Sequence, residues 1–174
     1  MSNLPVINGF IAYLGDERHF SAYTARCYGA DLRQFIEWVE QTKRTTFNEA
    51  VEQKAYEARL DRATRTTPGN PAASVGGSTL TDQVLDASSD WIRSFLENLQ
   101  SNSYSGATMA RKIATLRSFY KWAERKGIAA INPMTAIRTP KQGKRLPKAI
   151  TMDQIEQLMI APSDRDVLGM RDRA

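Results

Sequence analysis

Residues 105–127 carry the strongest helical pattern in the chain, and this pattern restricts the fold more than any other feature. Apolar side chains recur every three or four residues and fall within a narrow arc at about 100° per residue. They are Met109, Ile113, Leu116, Tyr120 and Ala123. Ser105 is a suitable N-cap, and Gly127 can end the helix in the left-handed conformation. The sequence therefore predicts an amphipathic helix that has to bury one stripe.

Three other segments show the same kind of periodicity. The first covers residues 4–15, the second follows a possible N-cap at Ser21, and the third starts near Ser88. Four amphipathic helices with one apolar stripe each pack most economically as a bundle with the stripes inward. We therefore predict an all-α protein built on a small four-helix bundle.

The pattern weakens between the second and third helices. The stretch FNEAVEQKAYEARLDRA could form an amphipathic helix, but residues 64–80 are small, polar and rich in Gly and Pro, which predicts a flexible loop. Loops longer than about fifteen residues are uncommon inside compact domains. We therefore predict a flexible insertion over about residues 43–82.

The carboxyl-terminal part predicts a linker and a second domain. Asn132-Pro133 predicts a short helical turn. The stretch TPKQGKRLPKA that follows has two prolines and four basic residues, which favours an extended connector. Thr151-Met152-Asp153-Gln154 then forms a capping box. The predicted organisation is a first domain over 1–138, a basic linker over 139–150 and the start of another domain over 151–174.

The net charge of +5 is unevenly distributed along the chain. Residues 101–150 hold eleven basic residues and one acidic residue, so the remaining residues sum to −5. Such asymmetry suggests a polyanionic partner, although basic helix surfaces also serve solubility. On the 105–127 helix, a polar face lies opposite the apolar stripe. It comprises Arg111, Ser118 and Arg125, with Thr108, Thr115 and Lys121 at its flanks, and these residue types contact phosphate oxygens.

Other classes of protein fit the sequence poorly. No apolar stretch is long enough to span a membrane, and the first residues lack the pattern of a signal peptide. One cysteine, Cys27, and one histidine, His19, cannot build a disulfide or a zinc site, and no Gly-rich phosphate loop or paired-carboxylate site is present. We therefore expect a cytoplasmic protein that uses no cofactor and no metal.

Four segments stand in an order that resembles a known family. They are SAYTARCYGADLRQFIEWVE, GATMARKIATLRSFYKWAERKGIAAINP, TPKQGKRLPKAIT and a final RDRA. This order resembles the tyrosine recombinases of the XerC/XerD type, and the most specific match is the block from Thr108 to Pro133. The segment over about 43–82 departs from the family, which usually has a much shorter connection there.

The resemblance implies a SAM-like core-binding domain whose second and fourth helices face the major groove of duplex DNA. The matching positions are Thr24, Arg26 and Arg33 on the second helix, and Thr108, Arg111, Lys112, Thr115 and Lys121 on the fourth. The charge of the linker adds Lys141, Lys144 and Arg145 as contacts that follow the DNA backbone.

The family cuts and rejoins DNA through a phosphotyrosyl intermediate, without metal or nucleotide. The resemblance assigns no catalytic residue here, because Arg171 and Arg173 precede the expected first catalytic arginine and none of the six tyrosines matches the nucleophile. We therefore expect a DNA-binding piece of a recombinase that does not catalyse alone. Expected partners are duplex DNA and other recombinase protomers, four on two DNA sites, with a second related recombinase as one option. The expected roles are DNA integration or the resolution of chromosome dimers, which serves chromosome partition and cell division.

Two alternatives stay open at this point. A helical transcription regulator would need a tight helix-turn-helix, and the 105–127 helix is long for a recognition helix. A protein-interaction module would use the basic face to meet an acidic partner. Steep salt dependence of binding to duplex DNA distinguishes a DNA-binding protein from that module.

Overall fold

The computed structural model describes residues 4–65, 77–139 and 149–162, together with 169 and 171, and its regular secondary structure in these residues is entirely helical. This confirms the all-α prediction. The elements are α1 (Pro5–Asp16), α2 (Ala22–Lys43), α3 (Glu49–Arg65), α4 (Leu80–Leu85), α5 (Ser89–Ser101), α6 (Gly106–Arg125), a 3-10 turn (Pro133–Ala136) and α7 (Met152–Ile160). The chain divides into two compact units, Met1–Lys141 and Gln142–Ala174.

The four helices predicted from periodicity are α1, α2, α5 and α6, and the predicted caps are in place. The hydroxyls of Ser21, Ser88 and Ser105 each accept a hydrogen bond from the backbone N–H three residues later, at 3.2 or 3.3 Å. Gly127 follows α6 with a φ of 71°, the left-handed conformation in which glycine carries no steric penalty.

The α1–α2 and α5–α6 hairpins share one plan. Ser21–Trp38 and Ser105–Trp122 align without a gap at a separation of 84 residues. The identical pairs are Ser21/Ser105, Thr24/Thr108, Ala30/Ala114, Leu32/Leu116, Arg33/Arg117, Phe35/Phe119 and Trp38/Trp122. Each hairpin begins with a shorter helix and ends with a long one, and the two long helices, α2 and α6, contact each other.

The hairpins interlock through aromatic side chains. Phe35 and Trp38 of α2 pack on Phe95 of α5, with ring centroids 5.0 and 5.5 Å apart. The equivalent residues of α6, Phe119 and Trp122, pack on Phe10 of α1 at 5.5 and 5.4 Å. Each long helix thus buries its aromatic pair against the short helix of the other hairpin. Such ring pairs contribute about 0.5–1.5 kcal/mol each beyond their buried area.

Helix α3 is an ordered part of the first unit, so the prediction of a flexible insertion over about 43–82 is wrong for this helix and for the start of α4. The buried carboxylate of Glu52 accepts hydrogen bonds from the backbone N–H groups of Leu80 and Thr81, at 2.9 and 2.7 Å, and so caps α4. The guanidinium of Arg59 pairs with Asp82 and Asp86, also of α4 or its end. Residues 66–76 lie outside the described residues.

The second unit contains α7, and the predicted capping box is present. The backbone N–H of Gln154 donates to the Thr151 hydroxyl at 3.3 Å, and the Thr151 N–H donates to the Gln154 side chain at 3.0 Å. The apolar side chains of Ile155, Leu158 and Met159 are 36–67% exposed. Across the described residues, no helix has the length and apolar character needed to cross a membrane.

Candidate nucleic-acid interface

Helices α2 and α6 meet at equivalent positions of the two hairpins. The hydroxyl of Thr115 donates to Oδ2 of Asp31 at 3.0 Å, and these two residues are aligned with each other in the repeat. The Asp31 side chain is only 3% exposed. A buried carboxylate is stable in this position only if charged and polar groups surround it.

Those groups come mainly from α6. Arg111 donates from Nη1 to Oδ2 of Asp31, and the Lys112 ammonium donates to Oδ1 at 2.9 Å. The same ammonium donates to the side-chain oxygen of Gln34, whose amide nitrogen donates to the hydroxyl of Tyr104 at 2.9 Å. We call this set the crossing cluster: Asp31, Gln34, Tyr104, Arg111, Lys112 and Thr115. It holds one carboxylate and two cations, so it carries a formal surplus of positive charge.

Two of the predicted contact residues are buried within the crossing cluster. Thr115 has no exposed surface, and the Lys112 side chain is 7% exposed. The predicted position of Thr115 on the flank of the outer face is therefore wrong. A projection at about 100° per residue shows which side of α6 is apolar, but it does not show that α2 covers the neighbouring polar flank. Both residues stabilise the helix crossing through Asp31.

The outer side of α6 carries a line of exposed cations, which we call the basic strip: Arg111, Lys121 and Arg125. With Ser118, which is half-buried, they fall within an arc of about 80°, and from end to end they span about 21 Å of helix at about 1.5 Å per residue. Arg111 is held by Asp31, and Arg125 lies 5.9 Å from the ring centroid of Tyr13. Lys121 makes no ion pair with any residue that the structure describes.

The predicted residues of α2 are not brought together with the basic strip in the same way. Arg26 is exposed and Arg33 is half-buried, but both lie about 140–160° around the helix from Asp31. Arg33 packs beside Gly29 on the side of α1, because a Cβ on Gly29 would lie 3.3 Å from Nη1 of Arg33 and 3.4 Å from Ile11. The two arginines therefore lie on another side of α2 from the crossing cluster.

Thr24 and Thr108 occupy identical positions in the first turns of α2 and α6. Each hydroxyl lies 2.9 Å from the hydroxyl of the serine that caps its own helix. Both side chains are half-buried, so each joins a small polar group at a helix start. The predicted linker contacts Lys141, Lys144 and Arg145 lie outside the described residues.

Arg117 has a role that sequence reasoning did not identify. Its guanidinium donates to the backbone oxygen of Ile137 at 3.0 Å and to the hydroxyl of Thr139 at 3.2 Å. These contacts fix the chain after the 3-10 turn against α6, next to the predicted start of the linker. Nothing local in the sequence indicates them, because both partners lie about 20 residues away.

The remaining reactive side chains do not assemble a catalytic or metal site in the described part of the chain. His19 is exposed, and Cys27 is half-buried without a bonded partner among the described residues. Tyr120 is fully buried and donates to the backbone oxygen of Val84 at 2.7 Å, and burial raises the pKa of its hydroxyl. No group of three or more His, Cys, Asp or Glu side chains suited to a metal ion occurs among the residues described.

The fold and the sequence together define the class of the domain. The family model of the phage integrase N-terminal SAM-like domain matches residues 7–68 and 78–127. The chain therefore belongs to this family. The match includes α3 and α4, so the predicted departure from the family over about 43–82 is too wide, and only residues 69–77 fall between the matched stretches.

Curated relatives are similar to this chain over most of its length. The tyrosine recombinase XerC of Anoxybacillus flavithermus is 27% identical over 97% of this chain and 44% of its own length. The tyrosine recombinase XerD of Lacticaseibacillus casei is 30% identical, with the same two coverages. XerC of Alcanivorax borkumensis is 43% identical over 48% of this chain and 27% of its own length. The chain spans less than half the length of these relatives, and no solved structure matches it.

Proposed function

We propose that this chain binds duplex DNA through the outer side of α6 and the adjoining part of α2, as the DNA-binding portion of a tyrosine recombinase. The observation that carries the proposal is the basic strip on α6 in a domain of the phage integrase family. Guanidinium and ammonium groups bind phosphate oxygens strongly, and an α-helix fits the major groove, which is about 12 Å wide.

The dimensions of α6 fit this use. The basic strip is about 21 Å long, so a helix lying in the groove can reach phosphates of both strands with side chains at its two ends. The linker predicted over 139–150 adds basic residues after the point where Arg117 fixes the chain to α6. Arg26 extends the cationic surface to the exposed side of α2. We assign to Lys112 and Thr115 the indirect role of holding the two helices in register.

For the whole protein, the relatives support a site-specific recombinase, because their names describe tyrosine recombinases. We propose that such a protein cuts and rejoins DNA through a phosphotyrosine intermediate, together with further protomers, in the cytoplasm. Integration of DNA and resolution of chromosome dimers are the two roles that this chemistry serves. The contribution of the present chain to that reaction is binding.

Fluorescence anisotropy with a labelled duplex of about 30 base pairs tests the binding proposal. We expect affinity to fall steeply between about 50 and 300 mM salt, with a slope of log affinity against log salt near −4 for about four neutralised phosphates. Lys121→Ala should weaken binding to any sequence and reduce the magnitude of the slope by about one. Lys54→Ala is the matched control, because Lys54 is an exposed lysine on α3.

The result decides between DNA and a protein partner. An affinity that does not change with salt, or equal binding by Lys121→Ala and Lys54→Ala, would contradict the proposed interface. Absence of binding to any duplex would instead favour the protein-interaction module with an acidic partner.

A further inference from the structure

Asp31 is the buried acidic centre of the crossing cluster, and its two oxygens serve three donors from α6. Lys112 and Thr115 donate from within the buried part of the cluster, whereas Arg111 donates from the side that reaches solvent. The exposed fractions of the side chains are 3% for Asp31, 7% for Lys112 and 45% for Arg111. The cluster therefore runs from a closed interior to one exposed guanidinium.

Arg111 is the member of the cluster that can contact an external anion while keeping its bond to Asp31. A guanidinium has five N–H donors in a planar fork, and the described contact with Asp31 occupies Nη1. Lysine could not do this equally well, because its ammonium is a compact point charge without two separate edges. A phosphate on the outer edge of the guanidinium would lie roughly 7 Å from the Asp31 carboxylate, across the planar group.

We propose that Asp31 is a positioning residue for DNA binding: it orients the Arg111 guanidinium on the outer side of the α2–α6 crossing and, as a nearby anion, limits how strongly Arg111 attracts phosphate. The inference rests on the proposed function, because it concerns the same surface. It adds that the acidic residue of the cluster weakens general attraction to DNA in exchange for a fixed direction of Arg111. Two like charges about 7 Å apart repel by roughly 0.6 kcal/mol in bulk water and more in a lower dielectric.

Asp31→Asn keeps the shape of the side chain and removes its charge. At about 100 mM salt, we expect this variant to bind a mixed-sequence duplex at least about threefold more tightly than the wild type, which is the repulsion in bulk water expressed as a ratio. The salt slope should steepen by up to about one, because Arg111 is no longer partly neutralised. A purely structural role predicts the opposite, since loosening of the crossing would weaken binding.

The matched control is Asp90→Asn. It makes the same substitution at the 88% exposed partner of Arg93 on α5, outside the crossing cluster. We expect it to change affinity by less than about twofold, because exposed pairs are well screened. Both substitutions are also made in an Arg111→Ala background, where the effect of Asp31→Asn on binding should disappear if Arg111 transmits it.

Arg111→Lys provides an independent reading that leaves the buried carboxylate in place, and thermal unfolding by circular dichroism is recorded for every variant. If orientation matters, this variant should bind as weakly as Arg111→Ala although it keeps the charge. Binding equal to wild type by Arg111→Lys would overturn the inference. So would an Asp31→Asn that binds no more tightly than Asp90→Asn, or one whose gain persists without Arg111. Absence of salt-dependent duplex binding by the wild-type chain would overturn the proposed function as well.

Discussion

Arg59 connects three parts of the first unit, and its replacement tests whether α3 is integral to the fold. From α3, its guanidinium reaches Oδ1 of Asp82 at 2.7 and 2.9 Å and both oxygens of Asp86 at 2.7 and 2.9 Å. It also donates to the backbone oxygen of Ile128, which follows α6, at 3.2 Å. The side chains of Arg59, Asp82 and Asp86 are 6%, 12% and 17% exposed.

Arg59→Met keeps much of the length of the side chain and removes the charge, so two neighbouring carboxylates are left in a largely buried place without their cation. Breaking a buried ion pair by removing one partner costs about 3–5 kcal/mol, because the remaining charge is uncompensated. We expect a loss in this range. Since domains are stable by about 5–15 kcal/mol in total, much of the stability of the unit would be lost.

Urea unfolding followed by tryptophan fluorescence measures the loss. All three tryptophans, Trp38, Trp91 and Trp122, lie in the first unit, so the signal reports this unit. With a slope of about 2 kcal/mol per molar urea, the midpoint should fall by roughly 2 M. Arg59→Met combined with Asp82→Asn and Asp86→Asn should recover part of the loss, because no unpaired charge is left.

Arg65→Met is the matched control on the same helix. Arg65 pairs with Asp61 one turn away, with side chains 78% and 59% exposed, and exposed pairs of this kind contribute only about 0.3–0.5 kcal/mol. If Arg59→Met cost less than about 1 kcal/mol, close to this control, then α3 would not be held by its buried ion pairs. The reasoning that makes α3 part of the core would then be refuted.

Two further stability predictions concern α6. Gly127→Ala should destabilise the protein by about 1–2 kcal/mol, because residue 127 has a φ of 71° and an added Cβ would also lie 3.2 Å from a side chain of α3; Gly15→Ala, with open space around it, should not, and equal melting temperatures of the two variants would contradict this account. Tyr120→Phe should cost about 1–2 kcal/mol in urea unfolding, because the backbone oxygen of Val84 loses a buried donor. Tyr23→Phe, at a tyrosine that is 73% exposed, should be neutral, and a neutral Tyr120→Phe would argue against this hydrogen bond.

The four long-patterned helices were predictable because their signals are local. An apolar stripe and a serine cap lie within one or two turns of each other, as in the pairing of Ser105 with the first turn of α6. Helix α3 has no comparable stripe, and its buried residues are Glu52 and Arg59. Their partners lie 23 to 29 residues away or farther, so only the tertiary structure turns these charged residues into core residues.

The candidate site was predictable in its outer part and not in its buried part. The projection of α6 at about 100° per residue placed Arg111 and Arg125 outward, and the structure leaves both exposed. The burial of Lys112 and Thr115 depends on where α2 crosses α6, which no local pattern of α6 contains. One signal for this crossing was present in the sequence: the gapless alignment of the two segments at a separation of 84 residues, which pairs Asp31 with Thr115.

The repeated hairpin also explains why α6, and not α2, carries the basic strip. The positions that pack inward hold the same residues in both helices, as in Phe35 and Phe119. The outward positions differ: the counterparts of Arg111, Lys121 and Arg125 in α2 are Cys27, Glu37 and Gln41.

At the crossing itself the two helices also differ, and the difference is electrostatically necessary. Two copies of Asp31 would place like charges against each other in a buried site, and two copies of Thr115 would leave the cations of α6 without an anion. One carboxylate from α2 against two cations from α6 satisfies the buried groups and leaves the surplus positive charge on α6. The same asymmetry that makes the crossing stable therefore selects the helix that can attract a polyanion.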